Sequence, residues 1–264
     1  MKRRRFLQLA AGTAAAAAVR TTALASVNRD QEIFLAIRDR MLDAGDAIRV
    51  RAGERVRFHF VHAGALEDVH LHLPGHRFHV VALDGNPVPT PAAVDVLSLA
   101  KGERIEAIVE MNNPANWTLG SLNDAERAGG LGVRVTYAAQ NGPAQWHAPA
   151  AVDWSYARFS ATTRLIPPPD QTIEMLLEKR PSDRKHQWVI DGRPQADIDH
   201  VSFPPGRRYR LCMMNATDRA YPVHLAHHNF ALTRVNQIPV SGVIKDTIRL
   251  EHYNVIEADV LRRS

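Results

Sequence analysis

At 264 residues the chain has room for one large domain or two of about 100–130 residues, and an apolar share of 45% is that of an ordinary soluble globular protein. Its formal charge of +5 owes much to Lys2, Arg3, Arg4, Arg5 and Arg20 at the N-terminus; the remainder is near neutral, so the basic balance gives no sign of a nucleic-acid partner. A single cysteine excludes an intramolecular disulfide framework.

The first element is a leader. Arg3-Arg4-Arg5-Phe6-Leu7 fits the twin-arginine pattern, an Ala-rich apolar stretch runs from Leu7 to Val19, and Ala23-Leu24-Ala25 supplies a small-residue cleavage site. The apolar run is too short to make a comfortable membrane span. Residues 1–25 therefore read as a signal peptide. The mature protein is expected in the periplasm or outside the cell, free of the membrane once the leader is removed.

Short apolar or alternating runs follow. Ala47–Val50, Arg55–Val61, Phe78–Leu83, Arg104–Glu110 and Leu131–Tyr137 predict strands. Turns at Ala52-Gly53-Glu54, Asp84-Gly85-Asn86-Pro87, Lys101-Gly102-Glu103 and Asn112-Asn113-Pro114 separate them. No long amphipathic helix is expected. From Gln140 to Ile166 an Ala-, Pro- and Trp-rich stretch reads as a linker laid across the surface by Trp146, Trp154, Tyr156 and Phe159. A second strand block follows, with Gln187–Ile190, Tyr209–Met213, Phe230–Val235 and Val243–Leu250.

The two blocks repeat one another weakly. Ala52-Gly-Glu-Arg-Val-Arg-Phe58 parallels Pro205-Gly-Arg-Arg-Tyr-Arg-Leu211, and Val69-His-Leu-His72 with His76-Arg-Phe78 parallels Val223-His-Leu225 with His228-Asn-Phe230. Two tandem Greek-key β-sandwiches explain this best: residues 28–140, a linker over 141–185, and an incomplete second domain over 186–264.

Histidine clusters carry the candidate chemistry. His70 and His72 are two apart and share a face of a strand; His76 and His79 follow, while His59 and His62 lie on the preceding strand. Imidazoles grouped in this way suit copper, zinc or nickel, though a solvated His-rich strand edge would read the same. His224, His227 and His228 form the second group. Cys212, inside an alternating strand, reads as a small buried hydrophobe rather than a copper thiolate. Lys245 and Asp246 read as structural.

Tyr221-Pro-Val-His-Leu-Ala-His-His-Asn-Phe230 resembles the copper strand of the last cupredoxin domain of multicopper oxidases, which runs H-P-x-H-L-H-x-H-x-F. Trp188-Val-Ile-Asp-Gly192 and Gly242-Val-Ile-Lys-Asp-Thr247 resemble the same domain. Ile48–Phe58, Leu73-Pro-Gly-His-Arg-Phe78, Ala82–Pro87 and Ala107–Met111 resemble the family's middle domain. The resemblance implies two cupredoxin-like domains and copper-dependent oxidation. It also implies departures. Tyr221 and Ala226 stand where copper ligands belong, and only His224 keeps its place, that of a type 2 copper ligand. The family's first domain and its C-terminal H-C-H-x-x-x-H segment have no counterpart.

These departures leave two expectations. The chain is an oxidoreductase only as an oligomer, or with a complementary polypeptide that supplies the missing copper ligands. Alternatively, it is a non-catalytic periplasmic copper-binding or scaffold protein that uses its histidines. A truncated gene product remains a third reading.

Overall fold

The computed structural model describes residues 30–43, 45, 47–64, 68–162, 166–179, 186–195 and 201–262; the expected signal peptide lies outside the described residues. The first half is built of strands β1 (Gln31–Arg38), β2 (Met41–Asp43), β3 (Ala47–Val50), β4 (Glu54–His62), β5 (Asp68–His72), β6 (Phe78–Leu83), β7 (Asn86–Val94), β8 (Val96–Ala100), β9 (Arg104–Met111), β10 (Asn116–Ser121) and β11 (Gly132–Tyr137), several of which alternate buried and solvent-facing residues with a period of two. β4 illustrates the rule: Val56, Phe58, Phe60 and His62 point inward and are fully buried, while the residues between them are not. A single turn of helix, α1 (Asp124–Ala128), begins at Asn123, whose side chain accepts from the amides of Ala125 and Glu126.

Two sheets stack to make this half, in the orders β2-β1-β4-β9-β6-β7 and β3-β11-β10-β5-β8. β7 carries Pro87, Pro89 and Pro91, which lack the amide a ladder needs; it sits at a sheet edge, paired only with β6. At its start, Asp84 and Gly85 both take positive φ (51° and 80°), the backbone of a tight hairpin turn.

The second half repeats this plan in β12 (Gln171–Lys179), β13 (His186–Ile190), β14 (Arg193–Pro194), β15 (Tyr209–Asn215), β16 (Tyr221–His224), β17 (His228–Val235), β18 (Ile238–Pro239), β19 (Ile244–Lys245), β20 (Thr247–Leu250) and β21 (Val255–Arg262). The parallel–antiparallel run β1-β4-β9-β6 recurs as β12-β15-β21-β17, and the antiparallel pair β5-β8 recurs as β16-β20. The sequence repeat is thus a structural one: Ala52–Phe58 leads into β4 as Pro205–Leu211 leads into β15. Among the described residues the second sheet of this half has two strands, β16 and β20. The expected all-β class with two tandem sandwiches is what these strands build.

The linker is more than a surface strap. Tyr156 and Phe159, in a turn of 3-10 helix over Tyr156–Phe159, are buried at 4% and 0% exposure and join the core. Tyr156 reaches the junction of the two halves, where Lys245 is fully buried. Its ammonium lies 2.9 Å from Asp84 Oδ2 and 2.9 Å from Glu103 Oε1, both also fully buried. The Tyr156 hydroxyl donates to Glu103 and accepts from the Arg249 amide at 2.8 Å. Burial opposes the charge on Lys245, but Asp84 and Glu103 outweigh it and raise its pKa. Arg104–Asp246 at 2.7 Å and Arg249–Asp68 at 2.5 Å extend the tie across the junction.

Removing one partner of such a group strands the others in a low-dielectric site. Lys245→Met, which keeps the volume, is expected to lower unfolding stability by about 3–5 kcal/mol. Denaturant titration against the wild type measures this, and a loss under about 1 kcal/mol would contradict the account.

Candidate metal centre

β16 and β20 position His224. Its Nδ1–H donates to the Asp246 carbonyl at 2.8 Å, with Thr247 Oγ1 at 3.3 Å. A carbonyl can only accept, so the donor fixes the tautomer and leaves the lone pair on Nε2 of an exposed ring. Asp246 is itself anchored: its amide donates to Asp84 at 3.1 Å and its carboxylate pairs with Arg104. The geometry is that of a ligand with its outer support in place.

His227 and His228 do not join it. The chain turns at Leu225–His227, with His227 at φ 63°, and His228 opens β17 in the other sheet. His228 Nδ1–H donates to the Ala226 carbonyl at 2.9 Å, and its ring packs against Phe203 with centroids 5.3 Å apart. His227 is exposed.

The first cluster is likewise dispersed. His70 Nδ1 lies 2.8 Å from Ser98 Oγ and its Nε2 3.5 Å from Asp68. Its ring lines a cleft of about 660 Å³ between the two halves, with Asp68, Trp154, Arg249 and His252 on the other walls. The hydrogen bond from His70 is the largest pull holding the Asp68 carboxyl below the usual range; Arg249 adds to it against burial. His72 faces elsewhere: Nδ1 lies 2.7 Å from the Asp95 carbonyl, and its ring meets Trp146 and His147 edge-on.

His76 has both nitrogens engaged, by the Pro74 carbonyl at 2.9 Å and the Tyr137 hydroxyl at 2.5 Å, and stacks on Tyr137. It serves the fold. His59 and His62 point to opposite faces of β4.

Cys212 is half-buried rather than buried, because it lies on the outer face of β15 between its cross-strand partners Glu174 and Glu257. Burial and these two carboxylates push the thiol pKa up, so the thiolate that copper would need is disfavoured.

Among the described residues no three His, Cys, Asp or Glu side chains converge on a metal-sized space. Tyr221 and Ala226 flank His224 without offering imidazole nitrogens. The residues of segment 221–230 therefore do not by themselves fit a copper centre of the family's kind. The sequence reading missed Ser98, Asp68, Arg249 and His147 as partners of the histidines. Ser98 and Arg249 are far along the chain and His147 is isolated in the linker, so no local spacing marks them; Asp68 lies two residues before His70 on the same strand.

Comparison with known proteins gives a consistent picture. The multicopper oxidase family model matches residues 10–141. A multicopper oxidase of Mycobacterium tuberculosis, MmcO, is 25% identical over 219 residues, covering 81% of this chain and 42% of the relative. Laccase-15 of Oryza sativa subsp. japonica is 35% identical over 74 residues, covering 28% and 12%.

Among solved structures, the laccase of Botrytis aclada superposes with a TM-score of 0.61 at 15% identity, covering 82% of this chain and 48% of that one. A multi-copper oxidase from Pediococcus acidilactici gives 0.62 at 14% identity, covering 90% and 55%. The chain thus spans about half the length, or less, of these relatives. The structural likenesses establish the cupredoxin-like fold.

His62 gives this region a measurable pH response. Burial lowers its pKa from 6.5 to about 4. Above 6.5 the ring is neutral in both states; between 6.5 and 4 the unfolded chain binds the extra proton, so stability falls with pH and levels off below 4. Urea unfolding at pH 7 and pH 4.5 is expected to differ by about 2 kcal/mol from this group, after allowance for solvent screening. The difference should shrink in His62→Gln; an equal difference in the variant would remove His62 as its source.

Proposed function

Because this chain belongs to the multicopper oxidase family, we propose that it is an exported copper protein with a reduced ligand set, competent as an oxidoreductase only when another chain completes its copper site. The observation that carries this reading is His224: its Nδ1 is fixed by the Asp246 carbonyl, its Nε2 is exposed, and the neighbouring ligand positions hold Tyr221 and Ala226. One supported imidazole is a poor metal site alone but a natural third of a site shared between chains.

The completing chain is a second copy of this one or a complementary polypeptide that carries the remaining histidines. Among the described residues no three donors converge to hold copper on this chain alone. What its own residues contribute is orientation of one ligand and a rigid platform behind it. A twin-arginine leader, which exports folded proteins, suits a chain that takes up metal before it crosses, and the periplasm or cell exterior is its destination.

The second reading, a non-catalytic periplasmic copper binder or scaffold, is favoured by His70, His72 and His228 each having a protein partner of its own.

Copper content, visible spectrum and mass of the exported protein test the first reading. Copper in that site should accompany an oligomer or complex and be lost in His224→Ala. No intense blue band is expected, since Cys212 stays protonated. Copper-free protein that remains copper-free in every assembly would favour the scaffold reading.

A further inference from the structure

His72 carries an atom the fold leaves unused. The Asp95 carbonyl takes its Nδ1–H at 2.7 Å, so the lone pair sits on Nε2. The side chain is 4% exposed, and Nε2 is buried with no hydrogen-bond partner. An unpaired buried acceptor costs about 1–3 kcal/mol. The same pattern, one ring N–H given to a backbone carbonyl and the other nitrogen bare, is the usual preparation of a metal-binding imidazole.

Beside this ring, edge-on at an interplanar angle of 64°, lies a second one. His147, exposed, meets His72 with ring centroids 6.2 Å apart. The linker is pinned where it delivers this residue: Gln145 bridges to Trp117 on β10, the Thr118 amide donates to the Gln145 carbonyl at 3.0 Å, and the Gln145 amide donates to the Asn116 carbonyl at 2.8 Å. With metal–nitrogen bonds of about 2 Å and about 1.1 Å more to each ring centre, two imidazoles across one ion have centroids about 6 Å apart. Two indoles close the sides, Trp146 edge-on to His72 at 5.7 Å and Trp117 edge-on to His147 at 5.8 Å.

We propose that His72 and His147 form a two-coordinate site for a monovalent d10 metal ion, copper(I), distinct from the His224 position. Charge and ligand count select the monovalent ion. No third His, Cys, Asp or Glu completes a group of three among the described residues, whereas divalent copper or zinc calls for about four donors. The Arg127 guanidinium, 3.8 Å over the Trp146 ring, repels a dication more than a monocation. A filled d shell imposes no ligand field, and two trans imidazoles satisfy it. The neighbouring indoles offer π density to a soft cation. Silver(I) shares this chemistry; naming copper rests on the copper reading of the protein above, while the site itself does not.

Anaerobic titration of the full chain with copper(I) against a chromogenic chelator, repeated with silver(I), tests the site. The wild type should take one ion there, with X-ray absorption showing two nitrogen neighbours. His147→Ala, a change at an exposed side chain that leaves the fold intact, should weaken binding at least tenfold, the size expected for losing a ligand. His72→Gln should do the same, and His79→Ala, at an exposed neighbouring histidine, should change nothing. Unaltered affinity in His147→Ala, or a three- or four-coordinate spectrum in the wild type, would overturn the proposal. His224→Ala keeps the two readings apart: it removes copper from the shared site and leaves copper(I) at His72 untouched.

Discussion

A single buried ammonium governs how the two halves of this molecule meet. Lys245 sits without solvent contact between the carboxylates of Asp84 and Glu103, with the Tyr156 ring 4.9 Å from its charge. Each partner comes from a different part of the chain: Asp84 from a hairpin turn of the first half, Glu103 from the loop before β9, Tyr156 from the linker and Lys245 from the second half. An ion pair at this depth gives little net stability, because desolvation offsets most of its attraction. What it imposes is registration. Any other arrangement of the halves would leave an unpaired charge in the core, and that is far costlier than a poor apolar contact.

The same lock extends outward to the candidate copper ligand. Asp84 Oδ2, besides binding Lys245, accepts the amides of Asp246 and Thr247. Asp246 gives its carbonyl to His224, and its carboxylate to Arg104 of the first half. The orientation of His224 is therefore set by a chain of contacts that begins in the other half. That chain explains why a lysine, an aspartate and a threonine in succession matter at this point. It also explains how His224 keeps a ligand's posture although Tyr221 and Ala226 do not supply the neighbours it would need.

Much of the strand pattern was legible because burial writes a period of two into sequence. β3 and β6 run between the residues that alternation marks, and β4, β9 and β17 differ by one or two residues at their ends. Failures have local causes. β7 was hidden by three prolines, which an edge position tolerates. Val243–Leu250 reads as one strand but divides at Asp246, whose buried partners are far away in sequence. The linker reads as surface because Ala and Pro dominate it; only the fold shows Tyr156 and Phe159 inside. For the histidines, face and spacing on β5 were legible and partners were not. His70 and His72 share a strand face, yet one turns to Ser98 and Asp68 and the other to Asp95 and His147.

His72 and His224 present the same chemistry in two solvents. Each gives its Nδ1–H to a backbone carbonyl and keeps a lone pair on Nε2. At His224 the lone pair meets water, so an empty site carries no penalty, and occupancy depends on what a partner adds. At His72 the nitrogen is sealed from water and bare, and burial lowers its pKa, which leaves it neutral and able to donate its lone pair. A cation that bonds to this nitrogen relieves the desolvation cost as well as forming the bond. Binding and folding are then linked through one atom: an ion held by the folded state alone stabilises it by RT ln(1 + [L]/Kd). Where both imidazoles exist only in the folded geometry, the metal acts as a cross-link between β5 and the linker. That is the segment whose aromatics tie the first half to the junction with the second.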